Sequence, residues 1–242
     1  MSDAGLIVIG NEVLAGRVEE QNAKFLIARL RKIGVVLARV VFLRDDVDAI
    51  AREVRMMAKD FAHVFTSGGI GSTHDDVTLR GVAEAFGLGL ESHAALESAL
   101  RSRYPDASPA TLRLAIVPTG AELIESGMAS FPLLRVRNVY VFPGVPEFFR
   151  SKWLAVESRF ETTPFCGYAL YLNVGEEEIA DLLSDIDRMF EDVEFGSYPR
   201  FDAQDYKVKI TLQSKKQPRL EAARTALKAR LTRGWLVKEE PC

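Results

Sequence analysis

Residues Phe65–Thr78, FTSGGIGSTHDDVT, set Gly68, Gly69 and Gly71, then Ser72 and Thr73, directly ahead of the adjacent carboxylates Asp75 and Asp76. A strand-like run precedes this segment and a helical period follows it. Its backbone N–H groups therefore fall where the start of a helix favours an anion, and the glycines let the backbone approach a ligand with no Cβ in the way. The segment lacks the lysine of the GxxxxGK[ST] loop, and GGIGS is not GxGxxG, so neither nucleotide fingerprint applies.

The paired aspartates have two readings. Thr73 with Asp76 three residues on resembles a capping box, and carboxylates in a first helical turn gain roughly 0.3–1 kcal/mol each. A phosphate on the same loop changes the balance, because two unit charges about 4 Å apart interact by about 4 kcal/mol at an effective dielectric near 20. Phosphate and both carboxylates share a site comfortably only around a cation. Hard divalent ions take carboxylate and phosphate oxygens together, so loop and aspartates make joint sense as a metal–diphosphate site.

The elements that must position this loop alternate between strand and helix, as in parallel α/β folds. LIVIG is an apolar run ended by Gly10, and Leu26, Leu30 and Ile33 form a helical stripe closed by Gly34. VVLARVVFL reads as a second strand, Ile50, Val54 and Met57 as a second stripe, and AHVFT as the strand leading into the glycine loop. Leu79, Val82, Ala83 and Phe86 mark the next helix, with Gly87 at its stop, and AELIES and NVYVFPG are two further strands before a helix near Pro146–Val156. From about Cys166 the order becomes β-α-β-β-α-β, a small split α/β unit. There Tyr206, Val208, Ile210 and Leu212 alternate as in a half-exposed antiparallel strand. The expected division is 1–160 and 166–242, joined through SRFETTPFCG.

Composition narrows the classes. Hydrophobic residues make up 48% and charged residues 27% of the 242, an ordinary globular balance, and a net charge of −3 gives no general attraction for nucleic acid or an anionic membrane. The longest apolar runs fall short of a membrane span, and the N-terminus has no basic leader. Two cysteines, Cys166 and Cys242, make neither a disulfide framework nor a zinc cluster. The expected setting is a reduced cytoplasm.

The run TSGGIGSTHDDVT resembles the signature of the molybdopterin-binding-like domain shared by MogA, MoaB and MoeA proteins. It is closer still to the CinA N-terminal domain and the N-terminal domain of eukaryotic FAD synthase. IGNEVLAGRVEEQNAKFLIARLRKIG, VVFLRDDVDAI, VYVFPGVPEFF, GEEEIADLL and GSYPRF…YKVKITL carry the likeness over nearly the whole chain, in order. It implies a three-layer α/β/α domain with a mostly parallel sheet and the site at the C-terminal strand ends, followed by a small α+β domain. Two departures stand out: Ser72 replaces a usual proline, and ESGMASFPLLRV lacks the Asn-Pro and Gly-Thr-Ala-Pro-Gly run of bacterial CinA, which brings the FAD-synthase type nearer. The end near residue 242 leaves no room for the deamidase domain of CinA or the adenylyltransferase domain of FAD synthase, so a stand-alone version is expected.

The resemblance implies divalent-metal-dependent hydrolysis of FAD or ADP-ribose. Two alternatives are molybdopterin binding in molybdenum cofactor synthesis, and an inactive binding module. On the first reading Ser67, Gly68, Gly69, Gly71, Ser72 and Thr73 hold the diphosphate, and Asp75 and Asp76 bind Mg²⁺, Mn²⁺ or Co²⁺, Asp76 first. Glu12 is a second carboxylate, as ligand or general base, or else a solvated loop residue. Asn11 and Asn22 position substrate, unless Asn22 caps the helix near Ala23. One of Asp45 and Asp46 caps the next helix, with Asp46 also a substrate-binding candidate. His74 contacts phosphate or acts as an acid, or is a polar surface group, and His63 and His93 are structural. Pro143, Gly144 and Pro146 shape a loop closing the pocket. The second unit has no GXXG clamp and no basic stripe with interleaved aromatics, so a packing or dimerisation role is expected rather than RNA binding. Relatives of these types form dimers or trimers, and a homo-oligomer is expected.

Overall fold

The structure, a computed structural model, describes residues 3–125, 131–200 and 205–242. It divides into two compact units, Met1–Thr162 and Thr163–Cys242.

In the first unit β1 (Asp3–Ile9) is followed by a one-turn helix α1 (Asn11–Leu14), then α2 (Asn22–Lys32), β2 (Val36–Leu43), α3 (Val47–Asp60), β3 (His63–Ser67) and α4 (Thr78–Phe86). A short antiparallel ribbon of β4 (Leu90–Ser92) and β5 (Ile116–Pro118) brackets α5 (Ala94–Arg103) and α6 (Pro109–Leu112). The unit is completed by β6 (Glu122–Ile124), β7 (Leu133–Val136), β8 (Val139–Phe142) and α7 (Pro146–Val156). The six-stranded sheet runs β2-β1-β3-β8-β7-β6. Its first four strands are parallel and β7 is antiparallel to both neighbours, so the expected mostly parallel sheet is what forms.

Each face of the sheet carries its own core. Leu6, Val8, Phe65, Tyr140 and Phe142 face α2 and α7 with Leu26, Phe149 and Trp153. Ile7, Ile9, Val64 and Val141 face the other way, packing with Ile50, Val54, Met57 and Val82 of α3 and α4. This alternation is the period of two that a strand imposes, and covering both faces is what a parallel sheet requires. At about 1.5–3 kcal/mol for each large apolar side chain buried, these two layers hold the strand ends in place.

The register places the site. Val8 of β1 pairs with Ser67 of β3, and Ser67 pairs with Phe142 of β8. The three parallel strands thus end level with one another, and the loops beginning at Gly10, Gly68 and Pro143 leave one edge side by side.

The second unit contains β9 (Cys166–Leu172), α8 (Glu176–Met189), β10 (Glu194–Pro199), β11 (Val208–Ser214), α9 (Gln217–Arg230) and β12 (Leu236–Pro241). Its sheet order is β10-β11-β9-β12, antiparallel throughout. Val208, Ile210 and Leu212 join Ile179, Ile186, Leu220 and Leu227 in the core, while Lys209 and Lys238 place their ammonium groups over the ring of Tyr171. Among the described residues no helix is long and apolar enough to cross a membrane.

α1, β4, α5, α6, β5 and β7 have no counterpart in the expected elements. Of these, β7 sits in FPLLRV just beyond residues 126–130, which lie outside the described residues together with that part of the ESGMASF departure. α5 lacks a clean apolar stripe, burying only Leu96 and Leu100.

Candidate functional site

The glycine loop takes a conformation only glycine supplies easily. Gly68 and Gly69 have φ of 102° and 66°, and a Cβ on Gly68 would stand 2.2 Å from the carbonyl oxygen of Ile9. This lets the loop after β3 lie directly against the end of β1. Gly144 approaches from the other side, where a Cβ would sit 3.2 Å from the Cα of Gly68. The loop is pinned from below: Thr78 Oγ1 donates to the Gly68 carbonyl at 2.9 Å, and the Thr78 N–H donates to that of Gly69 at 3.0 Å. Among the described residues the N–H groups of Gly69, Ile70 and Gly71 have no protein acceptor, so these donors are open to an anion in the cavity their residues line.

Asn22, the first residue of α2 and 3% exposed, crosses between loops. Its Nδ2 donates to Ser67 Oγ at 2.9 Å and to the Gly144 carbonyl at 2.8 Å, which leaves the buried Oδ1 without a partner among the described residues. Asn22 does not cap α2. That task falls to Glu20, whose carboxylate accepts from the N–H groups of Asn22 and Ala23.

The cavity at this edge measures about 1030 Å³. It is lined by nine of the residues expected to form the site: Glu12, Asn22, Ser67, Gly68, Gly69, Gly71, Asp76, Pro143 and Gly144. Pro146 lines it as well, and Leu100, Tyr104, Leu114, Phe131 and Phe148 give it an apolar side. The other expected site residues lie outside this lining. Asn11 donates its N–H to Asp45 Oδ2 at 2.8 Å, and Asp46 caps α3 by accepting from Ala49 N–H at 2.8 Å. Ser72 gives its carbonyl to Arg113 Nη2 at 2.8 Å. His74 is fully exposed, with Nδ1 3.9 Å from Asp75 Oδ1.

The two aspartates separate. Asp76 Oδ2 accepts from the Thr73 N–H at 2.8 Å and from the Thr73 hydroxyl. This is half a capping box, made in a turn before the helix begins at Thr78 rather than on the helix itself, so the expected box does not form. Asp75, 57% exposed in its side chain, lies outside the cavity. The Thr73 hydroxyl has one proton, and the hydrogen bond in the structure directs it to Asp76.

Among the described residues no three His, Cys, Asp or Glu side chains are placed to hold a metal ion by themselves, so Asp75, Asp76 and Glu12 do not form a protein-only cage. The donor chemistry that remains, Glu12 and Asp76 on one cavity beside an amide cradle, fits a Mg²⁺-type ion, which is usually bound by one or two carboxylates and completed by substrate phosphates.

Two contributors are absent from the sequence reading. Arg113 anchors the loop from 41 positions away, and no local pattern announces it. Lys152 lines the cavity while only 5% exposed. Its position on the stripe of Phe149, Trp153 and Val156 was the available signal.

Residues 5–159 match the family described as a probable molybdopterin binding domain, and residues 164–240 match the middle domain of FAD synthase. The chain is 30% identical to a probable FAD synthase of Caenorhabditis elegans over 93% of its own length and 49% of that protein. It is 34% identical to a CinA-like protein of Frankia casuarinae over 59% of its length and 36% of that protein. The chain thus spans half or less of the length of these two relatives. The crystal structure of a CinA protein of unknown function from Thermoplasma acidophilum superposes with a TM-score of 0.61 at 29% identity, covering 66% of this chain and 99% of that one. A two-faced, mostly parallel sheet with its glycine cradle at the level strand ends agrees with these matches: the chain belongs to the probable molybdopterin binding domain family, its second unit matching the middle domain of FAD synthase.

Proposed function

We propose that the first unit binds a nucleotide-linked diphosphate of the FAD or ADP-ribose class and hydrolyses its P–O–P bond with a divalent cation. The observation that carries this reading is the joining, in one cavity, of the Gly69–Gly71 amide cradle with the carboxylates of Glu12 and Asp76. The cradle holds phosphoryl oxygens through backbone N–H groups. Glu12 and Asp76 are the residues to hold the cation, which when bound supplies charge neutralisation and a more acidic water. A water oxygen would form a bond to one phosphorus as the bond from that phosphorus to the bridging oxygen breaks; the water proton would pass to solvent, and the departing monophosphate would carry the bridge electrons. Asn22, fixed through Nδ2, offers Oδ1 to a donor on the ligand. The apolar side of the cavity suits a planar ring system. The names of the FAD synthase relatives and the match of the second unit support FAD as one substrate.

The match of residues 5–159 favours a second reading, molybdopterin binding. Incubation with FAD or ADP-ribose and Mg²⁺, Mn²⁺ or Co²⁺ separates the two. AMP release that disappears in Asp76→Ala is expected. No AMP from either substrate with any of the three ions would remove the leading reading, and co-purified molybdopterin would then establish the second. Neither activity nor ligand would indicate a binding module without chemistry.

A further inference from the structure

We infer that Lys152 is an anion-contact residue of the cavity, holding a phosphate oxygen of the ligand from the α7 side. The inference rests on the reading that this cavity takes a diphosphate, and adds a cationic contact to it.

Three observations meet at this residue. Lys152 lies on the buried stripe of α7, where the other positions are Phe149, Trp153 and Val156. A leucine or methionine there would satisfy packing, whereas a buried ammonium carries a desolvation cost that an apolar residue avoids. The side chain also reaches the wall of the same cavity that Glu12, Asp76 and the glycine loop line. Finally, its ammonium donates to the backbone carbonyl of Phe131, itself on the cavity wall, which places the charge at that wall. Burial lowers its pKa to about 8, so it remains largely charged near neutrality while being more readily deprotonated than a surface lysine.

The electrostatics of the lining give this charge a purpose. Glu12, Glu19, Glu20 and Asp76 contribute carboxylates to the cavity, against Arg103 and Lys152. Arg103 is exposed and stacks over Tyr104. Lys152 is the buried base of the pair. An anion entering a cavity rich in carboxylates is helped most by a cation already desolvated, since little further water has to leave it. Lysine is suited to this as a point charge for phosphate.

The test is calorimetric binding of α,β-methylene-ADP, whose bridging carbon blocks hydrolysis, with Mg²⁺ to wild type, Lys152→Met and Lys152→Arg, alongside each variant's Tm. A charge-assisted hydrogen bond lost to methionine weakens binding by about tenfold or more, with Tm unchanged or raised, and arginine recovers part of the loss. In wild-type protein, trinitrobenzenesulfonate labelling of Lys152, read by peptide mass spectrometry, should be slowed by the same ligand, which keeps the question answerable if a variant misfolds. Equal affinity in wild type and Lys152→Met, unprotected labelling, or no binding by wild type overturns the inference. AMP release by wild type together with equal affinity in Lys152→Met would leave the hydrolysis standing without it. Weakened binding in Lys152→Met with no AMP from wild type would do the reverse.

Discussion

The side-chain amide of Asn22 donates to the carbonyl oxygen of Gly144 at 2.8 Å, joining the start of α2 to the loop after β8 across 122 positions of sequence. The same nitrogen reaches Ser67, at the end of β3. Asn22→Ala leaves these two oxygens without this donor, at a cost of about 1–3 kcal/mol. Urea denaturation should show that loss, and affinity for α,β-methylene-ADP should fall with it. Asn22→Asp should be worse, because a carboxylate has no N–H for Gly144.

Gly68 should be the least replaceable residue of the loop. At φ 102°, with the Ile9 carbonyl 2.2 Å from any Cβ, alanine has to move backbone rather than a flexible side chain. Gly68→Ala is expected to cost about 1–3 kcal/mol from conformation alone and to abolish AMP release. Gly87→Ala is the control: its φ is 66° but no atom lies within 4 Å of the added Cβ, so about 1 kcal/mol is expected with turnover retained. Thermal melts and an AMP assay on both variants check the contrast.

Stability should decline in two steps as pH falls. His63 sits among Phe65, Tyr140 and Phe160, and burial, then Arg135, lower its pKa below the ordinary 6.5. The folded protein disfavours its charged form, so this contribution is whole above pH 6.5 and lost progressively below it. Glu157 accepts from Arg29 Nε at 2.7 Å and from Trp153 Nε1 at 2.9 Å. Burial pushes its carboxyl up, but these bonds outweigh burial and hold it below the ordinary 4.5. Its contribution is present above pH 4.5 and lost as pH falls through the folded value. Denaturation midpoints across pH should show His63→Phe flattening the first step and Glu157→Gln the second, with Glu157→Gln costing about 1–3 kcal/mol at pH 7.

Asp75 and Asp76 should behave differently although adjacent. Asp76 lines the cavity and Asp75 does not. AMP release should fall by at least about 100-fold in Asp76→Asn, as loss of transition-state charge stabilisation implies, and by less than about tenfold in Asp75→Asn. Equal loss in both would return Asp75 to the site.

Much of this architecture was legible in the sequence, for identifiable reasons. The stripes Leu26–Leu30 and Ile50–Val54–Met57 are fully buried, because an amphipathic period survives in any context that covers one face. The alternation of Val208, Ile210 and Leu212 was equally plain. The glycine loop was legible through the residue type that φ near 102° demands. What escaped depended on distance. Arg113 reaches Ser72, and Asn22 reaches Gly144, only through the folded sheet. Capping stayed open in the sequence because local spacing does not say which side chain wins: Glu20 took the cap that was one of two readings of Asn22, and Asp76 closed a turn two residues before its helix. Lys152 escaped because FFRSKWL reads as an ordinary amphipathic segment until the apolar face is counted through the lysine.

On the proposed function a divalent ion lets Glu12 and Asp76 share one cavity with a diphosphate, so ion and ligand must strengthen each other's binding. Calorimetric titration of α,β-methylene-ADP with Mn²⁺ and with EDTA measures this directly in wild type, Glu12→Gln and Asp76→Asn. Mn²⁺ should tighten the wild-type Kd by about tenfold or more and lose most of that effect in each variant. The same Kd with Mn²⁺ and with EDTA in the wild-type protein would contradict it.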